Sequence, residues 1–524
     1  MARQRMTHSG HSIDKTAFKS EDRGCYSSGP RRKGRREISD YRIVSIIDGF
    51  LLHAKHQPAA PAICAPGWNY NIVSYGRLLS FADNVAAHAL AAGLKRGDIV
   101  AIFAKDPIFH WALILGLARI GVVSLSTVNP NLPAGFRIEA VLTDTPARFQ
   151  NAGRVIQVDA GWVEGDGKPP ATEADPDGSA TARIILTSGT TGDQKAVVLS
   201  RDIILRRIQS YDFAFGNRIP ACSRIFLDVG VAANSGYLWV IYVLARGGTI
   251  FVRGSDPAET MQALSLHNVQ GMVASPAGMA EFLDYYERSP AFLCPFEVML
   301  SVGSKLAASL SDRVRARMCS HVVHGYGATE GNPVAGGYVH QMGHIKGAIG
   351  YVTPGMIVQA VDDAGHVLKA GGEGHIRFRG DKCISGYVGN PPGSEKYFRD
   401  GWFYPGDIGA VTEGGVLIIT GRSKTIIDLG GDKINPEVIE AVLMSYPGVV
   451  HAVAFGRANA LGIEEVWAAV EARSEINPEA VRAHCAQRLS REMVPARVLQ
   501  VAEMPRNVGD KIDRTAVIKL ANSV

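Results

Sequence analysis

Residues 184–199, ILTSGTTGDQKAVVLS, place Thr187, Ser188, Gly189, Thr190, Thr191 and Gly192 between two apolar runs and follow them with Lys195. The preceding ARIILT is rich in isoleucine and does not alternate, as in a strand buried on both faces. A Gly-, Ser- and Thr-rich loop directly after such a strand gathers backbone N–H groups and hydroxyls in one concavity, where they donate hydrogen bonds to phosphate oxygens. Lys195 then supplies countercharge. A flexible linker uses the same small residues, but it needs neither flanking strands nor a fixed lysine. The spacing is not that of a Walker loop, because Asp193 and Gln194 stand between Gly192 and Lys195.

Working outward, 524 residues exceed what one core organises, so two or more domains are expected. The 46% hydrophobic and 20% charged composition is that of a globular chain, and the mean hydropathy is +0.04. The longest apolar stretches, WALILGLARIGVVSLS from Trp111 and YLWVIYVLARGG from Tyr237, are cut by Arg119 and Arg246. They read as buried helices, and no membrane span is expected.

The net charge of +5 owes much to a basic arm over residues 1–40, with RRKGRRE at 31–37. That arm has no apolar periodicity and reads as disordered, with no nucleic-acid partner expected. It also lacks the apolar core of a signal peptide. Seven scattered cysteines without C-x-x-C spacing suggest a reducing, cytoplasmic setting. From residue 41, helical stretches such as LLSFADNVAAHALAAGL alternate with short apolar strands such as DIVAIFA. An α/β fold of layered α/β/α sheets is predicted for 41–423, turning strand-rich after Gly325, with a small mobile α+β domain over 424–524.

Five more segments carry polar residues at turns: LSVGSKLAASL (300–310), HGYGATEG (324–331), GWFYPGDIG (401–409), GRSKTIIDLGGDKINPEVIE (421–440) and PRNVGDKIDR (505–514). Read singly, each is an ordinary turn or a solvated basic loop. Together with TSGTTGDQK, in this order and spacing, they resemble the adenylate-forming superfamily, which includes acyl-CoA synthetases, peptide-synthetase adenylation domains and luciferases. The resemblance covers nearly the whole chain after residue 41.

The resemblance implies that Thr187 to Gly192 hold ATP phosphates, together with Thr329, while Gly303, Gly325, Tyr326 and Gly327 contact the adenine side. Asp407 would accept from both ribose hydroxyls, a task suited to two carboxylate oxygens, and Arg422 would reach the nucleotide. Glu330 would hold Mg²⁺, a hard cation that takes carboxylate oxygen and substrate phosphate. Lys511 would be the catalytic lysine, Lys195 would neutralise departing pyrophosphate, and Lys424 would be the hinge of the C-terminal domain. The paired Gly430 and Gly431 would let backbone approach coenzyme A.

The implied reaction is ATP-dependent conversion of a carboxylic acid, perhaps a fatty acid, to an acyl-AMP, followed by transfer to coenzyme A. With no carrier domain following in this sequence, free coenzyme A is the expected acceptor. A stand-alone enzyme that loads a carrier-protein thiol is the alternative, and a nucleotide-binding relative without turnover is a third reading. The chain departs from the family pattern at Gln194, Ala196, Asp228, Pro405, Val438 and Asp510. Asp228 suits either an amine on the substrate or a nearby basic group.

Overall fold

The computed structural model describes residues 45–128, 132, 135–149, 153–167, 178–188, 194–289, 296–389, 391–423, 425, 427–428, 433–458, 464–507 and 511–523. The predicted basic arm, Gly189 to Gly192, Lys424, Gly430, Gly431 and Asp510 lie outside the described residues.

Strand β1 (Ile99–Phe103) runs into helix α1 (Pro107–Arg119). Asp106 sets the start of α1, its carboxylate accepting from the N–H groups of Ile108 and Phe109 at 2.9 and 3.0 Å. Pro107 fills the first helical position, where a missing N–H costs nothing. The chain returns as β2 (Val123–Ser126), parallel to β1. Strands β3 (Ala140–Thr143), β4 (Val155–Gln157) and β5 (Thr181–Ser188) join in parallel, and β6 (Gln194–Ser200) closes the edge antiparallel to β5. The order is β4-β3-β1-β2-β5-β6.

The opening stretch of sequence is therefore a hairpin, with Thr187 opposite Lys195 and Ser188 opposite Gln194. Ala196 is buried behind it. Helix α2 (Arg201–Ala214) follows, capped by the Ser200 hydroxyl, which accepts from the Ile203 N–H at 3.3 Å.

A second, larger sheet begins with β7 (Arg224–Asp228), followed by helix α3 (Asn234–Ala245) and β8 (Thr249–Val252). Then come β9 (Gly271–Ala274), β10 (Val298–Ser301) and β11 (Val322–Tyr326), parallel in the order β11-β10-β9-β7-β8. The strand-rich region after Gly325 extends this same sheet, because Ala335–Tyr338 pairs antiparallel with β11 and the next strands follow. Within it, β12 (Asp407–Val411) and β13 (Val416–Arg422) are antiparallel, and their register sets Asp407 opposite Arg422.

Helix α3 is apolar on every side and buried between the two sheets, so it carries much of the core. Trp239, 1% exposed, stacks on Tyr211 with ring centroids 4.6 Å apart and meets Tyr242 edge-on. Trp239→Ala should cost about 3–5 kcal/mol, the range for emptying a large aromatic site. Urea unfolding followed by near-ultraviolet circular dichroism should show the midpoint falling at unchanged slope.

The C-terminal segment starts with α4 (Pro436–Met444), capped by Asn435, whose side-chain oxygen accepts from the Glu437 N–H at 3.0 Å. That cap and Pro436 begin the helix without help from position 438. Strands β14 (Val449–Ala458) and β15 (Glu464–Ala472) are antiparallel, and β16 (Arg497–Val501) adds parallel to β15. Helix α5 (Arg514–Asn522) ends the fold. Two ion pairs tie this segment to the larger sheet's helices and loops: Lys305 with Glu437 at 2.7 Å, and Arg473 with Asp284. Among the described residues, no helix is long and apolar enough to cross a membrane.

Candidate active site

Segments far apart in sequence meet at the ends of β11, β12 and β13. Tyr326 closes β11, and its hydroxyl donates to Oδ2 of Asp407. Burial first, and then the Asp407 charge, hold this phenol well above its ordinary range, so it is a neutral donor. The other oxygen of Asp407 takes Arg422 Nε at 3.0 Å, which raises the arginine further. Asp407 is 3% exposed, and each of its oxygens already has one protein partner. Each retains a second lone pair for a ligand.

Glu330 is also buried, with Oε1 accepting from the Tyr387 hydroxyl at 2.6 Å. Its backbone oxygen receives the Ile384 N–H, fixing the Thr329–Glu330 turn from the far side. Arg207 fixes it from the near side: Nη1 donates to the Thr329 carbonyl at 2.9 Å, while Nε and Nη2 both donate to the Lys382 carbonyl. Lys195 does not extend alone into the groove. Its ammonium rests 3.5 Å from the ring centroid of Tyr397 and 4.9 Å from that of Tyr387, in cation–π contact with both. Tyr387 thus serves Glu330 through its hydroxyl and Lys195 through its face.

Lys511 completes the group. Gly303 has φ +92°, and a side chain there would come 3.5 Å from Lys511 Cε, so glycine leaves the lysine its path. Part of Lys511 remains in contact with solvent, but its charge acts with those of Arg422, Glu330 and Asp407. Desolvation first, and Arg422 second, push its pKa down to about 8 against the pull of the two carboxylates. Gly325 and Gly327 lie under the same turn, where a side chain on Gly325 would meet Phe215 at 2.9 Å.

Asp228 resolves the choice left by the sequence. Arg253 grips both of its oxygens at 2.9 and 2.7 Å and reaches Glu281 at 2.6 Å, so Asp228 is the partner of a basic side chain. His324 is buried with Nε2 against the Ser304 carbonyl, and burial pushes its pKa down to about 4. Sequence reasoning missed Tyr387, Tyr397, Arg207 and Asn234. GYVGNP (386–391), with an aromatic between a glycine and a turn, was the one signal for Tyr387. An arginine inside an amphipathic helix such as α2 reads as solvent-facing.

Two family models match the chain: AMP-binding enzyme over residues 50–388, and AMP-binding enzyme C-terminal domain over 438–511. The chain belongs to the AMP-binding enzymes. It is 26% identical over 484 residues to a probable CoA ligase of Humulus lupulus, spanning 85% of this chain and 91% of that protein. A 4-chlorobenzoate–CoA ligase of Arthrobacter is also 26% identical, over 88% and 92%. Among solved structures, o-succinylbenzoate CoA synthetase of Bacillus subtilis with its acyl-adenylate intermediate shares the fold at TM-score 0.76 and 20% identity, covering 90% of this chain and 97% of that one. ATP-bound MatB of Rhodopseudomonas palustris does so at TM-score 0.76 and 23% identity, covering 90% and 98%.

Proposed function

We propose that the protein activates a carboxylic acid with ATP, releases pyrophosphate from the resulting acyl-AMP, and transfers the acyl group to coenzyme A. The observation that carries this reading is the convergence of Lys511, from the end of the chain, with Glu330, Asp407 and Arg422 beside Gly303. The barrier to the first step is the approach of two anions, the carboxylate and the α-phosphate. Fixed donors and cations placed where charge develops are the remedy.

In this reading Lys511 bridges the attacking carboxylate and the α-phosphate. Asp407 takes the ribose hydroxyls with its remaining lone pairs, and Tyr326, Gly303, Gly325 and Gly327 form the adenine side. Thr329 and the loop from Thr187 to Gly192 hold the phosphates. Lys195 leaves the two tyrosine rings for pyrophosphate, a more strongly charged partner.

Glu330 suits Mg²⁺, being a buried carboxylate with one oxygen on Tyr387 and the other without a partner among the described residues. Those residues contain no group of three or more His, Cys, Asp or Glu, consistent with an ion held mainly by phosphate and water. When bound, Mg²⁺ neutralises charge on the phosphate oxygens.

Residues 41–423 bind nucleotide and acid in this reading. Residues 424–524 swing about Lys424 to bring Gly430 and Gly431 to the thiol of coenzyme A. The described cysteines are free, which suits a reducing compartment, and we place the enzyme in the cytoplasm. Fatty acids are among its candidate substrates.

The test incubates the protein with ATP, Mg²⁺ and a panel of aliphatic and aromatic acids, follows pyrophosphate, and then adds coenzyme A. Acid-dependent pyrophosphate release followed by thioester is the expected result. Release without thioester points to a carrier-protein acceptor, and no release with any acid overturns the reading.

The Lys305–Glu437 pair holds the pose in which Lys511 faces Gly303. Lys305→Glu should lower the adenylation rate about threefold, in keeping with a half-exposed pair. Adding Glu437→Lys should restore it, and isotope exchange between pyrophosphate and ATP measures both.

A further inference from the structure

Two guanidinium groups lie at 0% exposure in the centre of the molecule, Arg183 on β5 and Arg207 on α2. Among the described residues, neither forms an ion pair. Arg183 donates to the hydroxyls of Ser124 and Ser126 at 2.9 and 2.6 Å and to the Val231 carbonyl at 3.5 Å, and it stacks on Tyr237. Its Nε has no partner. Arg207 bonds carbonyls and the Asn234 side-chain oxygen, the latter at 3.3 Å. Both therefore converge on residues 231–237, the entry to α3.

That entry is itself short of partners. Helix α3 has twelve residues, begins at buried Asn234, and has no side-chain cap. A buried helix start leaves N–H donors and a partial positive charge to be satisfied by something else. The Asn234 amide adds to them. A guanidinium only donates, so Arg207 forces the Asn234 oxygen toward itself and turns Nδ2 away. Nδ2 is buried without a partner, in a side chain of a residue only 5% exposed. The Arg207 nitrogen that holds Asn234 also holds the carbonyl of Thr329, next to Glu330, so this amide adjoins the turn assigned to phosphate and Mg²⁺.

Buried charge without a counterion is costly, and a donor cluster in its field is a place for an anion. We propose that the start of α3 is the receptor for the reacting carboxylate of the acid substrate, with Asn234 Nδ2 as its side-chain donor and Arg207 and Arg183 as positioning residues. The carboxylate must lie beside the α-phosphate to attack it, and this is an electropositive, donor-rich surface next to the phosphate turn. The proposal rests on the acid-activating reading above and adds to it the group that holds the acid.

The test uses the full chain saturated with α,β-methylene-ATP and Mg²⁺, titrated calorimetrically with acetate, octanoate, benzoate and oxalate in turn. The wild type should bind at least one of these acids. Asn234→Ala should weaken that acid about tenfold or more, as expected for losing a hydrogen bond to a charged group. Asn234→Asp, which pairs with Arg207 and offers the acid a negative charge, should abolish binding. Affinity for the ATP analogue should stay within about twofold in both variants, the fold of each being checked by its melting temperature.

Unchanged acid affinity in Asn234→Ala overturns the proposal, as does equal loss of acid and analogue. If the wild type binds the analogue but none of the four acids, the receptor fails while the nucleotide site stands. If the analogue does not bind, the acid-activating reading fails, and the receptor fails with it.

Discussion

Replacing Lys511 with alanine is expected to slow acyl-AMP formation about 100- to 1,000-fold, the range seen when one preorganised transition-state donor is removed. Thioester formation from acyl-AMP supplied ready-made should change far less, because Lys511 serves the first step. Comparing pyrophosphate release with thioester formation from added adenylate separates the two, and equal losses would remove Lys511 from the chemistry. The lysine should also leave a mark on the pH profile. Its pKa lies near 8, below the ordinary value for lysine, and the protonated form is the one that stabilises developing negative charge. Acid-dependent kcat/KM, which reports the free enzyme, should therefore fall as pH rises through about 8. That falling limb should vanish in Lys511→Ala.

The second large effect is expected at Glu330. Glu330→Gln keeps an acceptor for the Tyr387 hydroxyl, so the turn should hold its shape, but the anionic oxygen offered to Mg²⁺ is gone. Adenylation at millimolar Mg²⁺ should fall about a hundredfold, in line with the several kcal/mol a catalytic metal contributes. Raising Mg²⁺ should recover part of the loss, since the defect is one of affinity. A variant whose activity ignored Mg²⁺ concentration would exclude Glu330 as the ligand. An activity loss matched by a drop in melting temperature would assign the effect to the buried turn instead.

What the sequence disclosed follows a physical line. Apolar runs broken by glycine report strands and helices directly, so the parallel sheets and the strand-rich stretch after Gly325 were legible. Short polar motifs at turns report the nucleotide side, because turn residues are chosen for backbone shape and local chemistry. Pairings across long sequence distances were not legible. Nothing in HGYGATEG says that its tyrosine bonds Asp407 or that Glu330 leans on Tyr387. Arg183 and Arg207 read as surface charges because burying a guanidinium is the exception, and only the packed chain shows carbonyls and hydroxyls meeting them. The hairpin geometry of TSGTTGDQK was hidden for a different reason: the strand after the loop is as apolar as the one before it, which leaves its direction open.

The continuity of the larger sheet divides the labour of the groove. Tyr326, Asp407 and Arg422 stand on strands bonded into one extended ladder, whereas Lys511 arrives on a segment tied across by two ion pairs, Lys305–Glu437 and Arg473–Asp284. The first is a stator and the second a rotor. A nucleotide seated on the stator would keep its contacts while the rotor turned, so the adenylate need not be released and recaptured between the two half-reactions. The chemistry would change by exchanging one wall, with the labile mixed anhydride never leaving shelter.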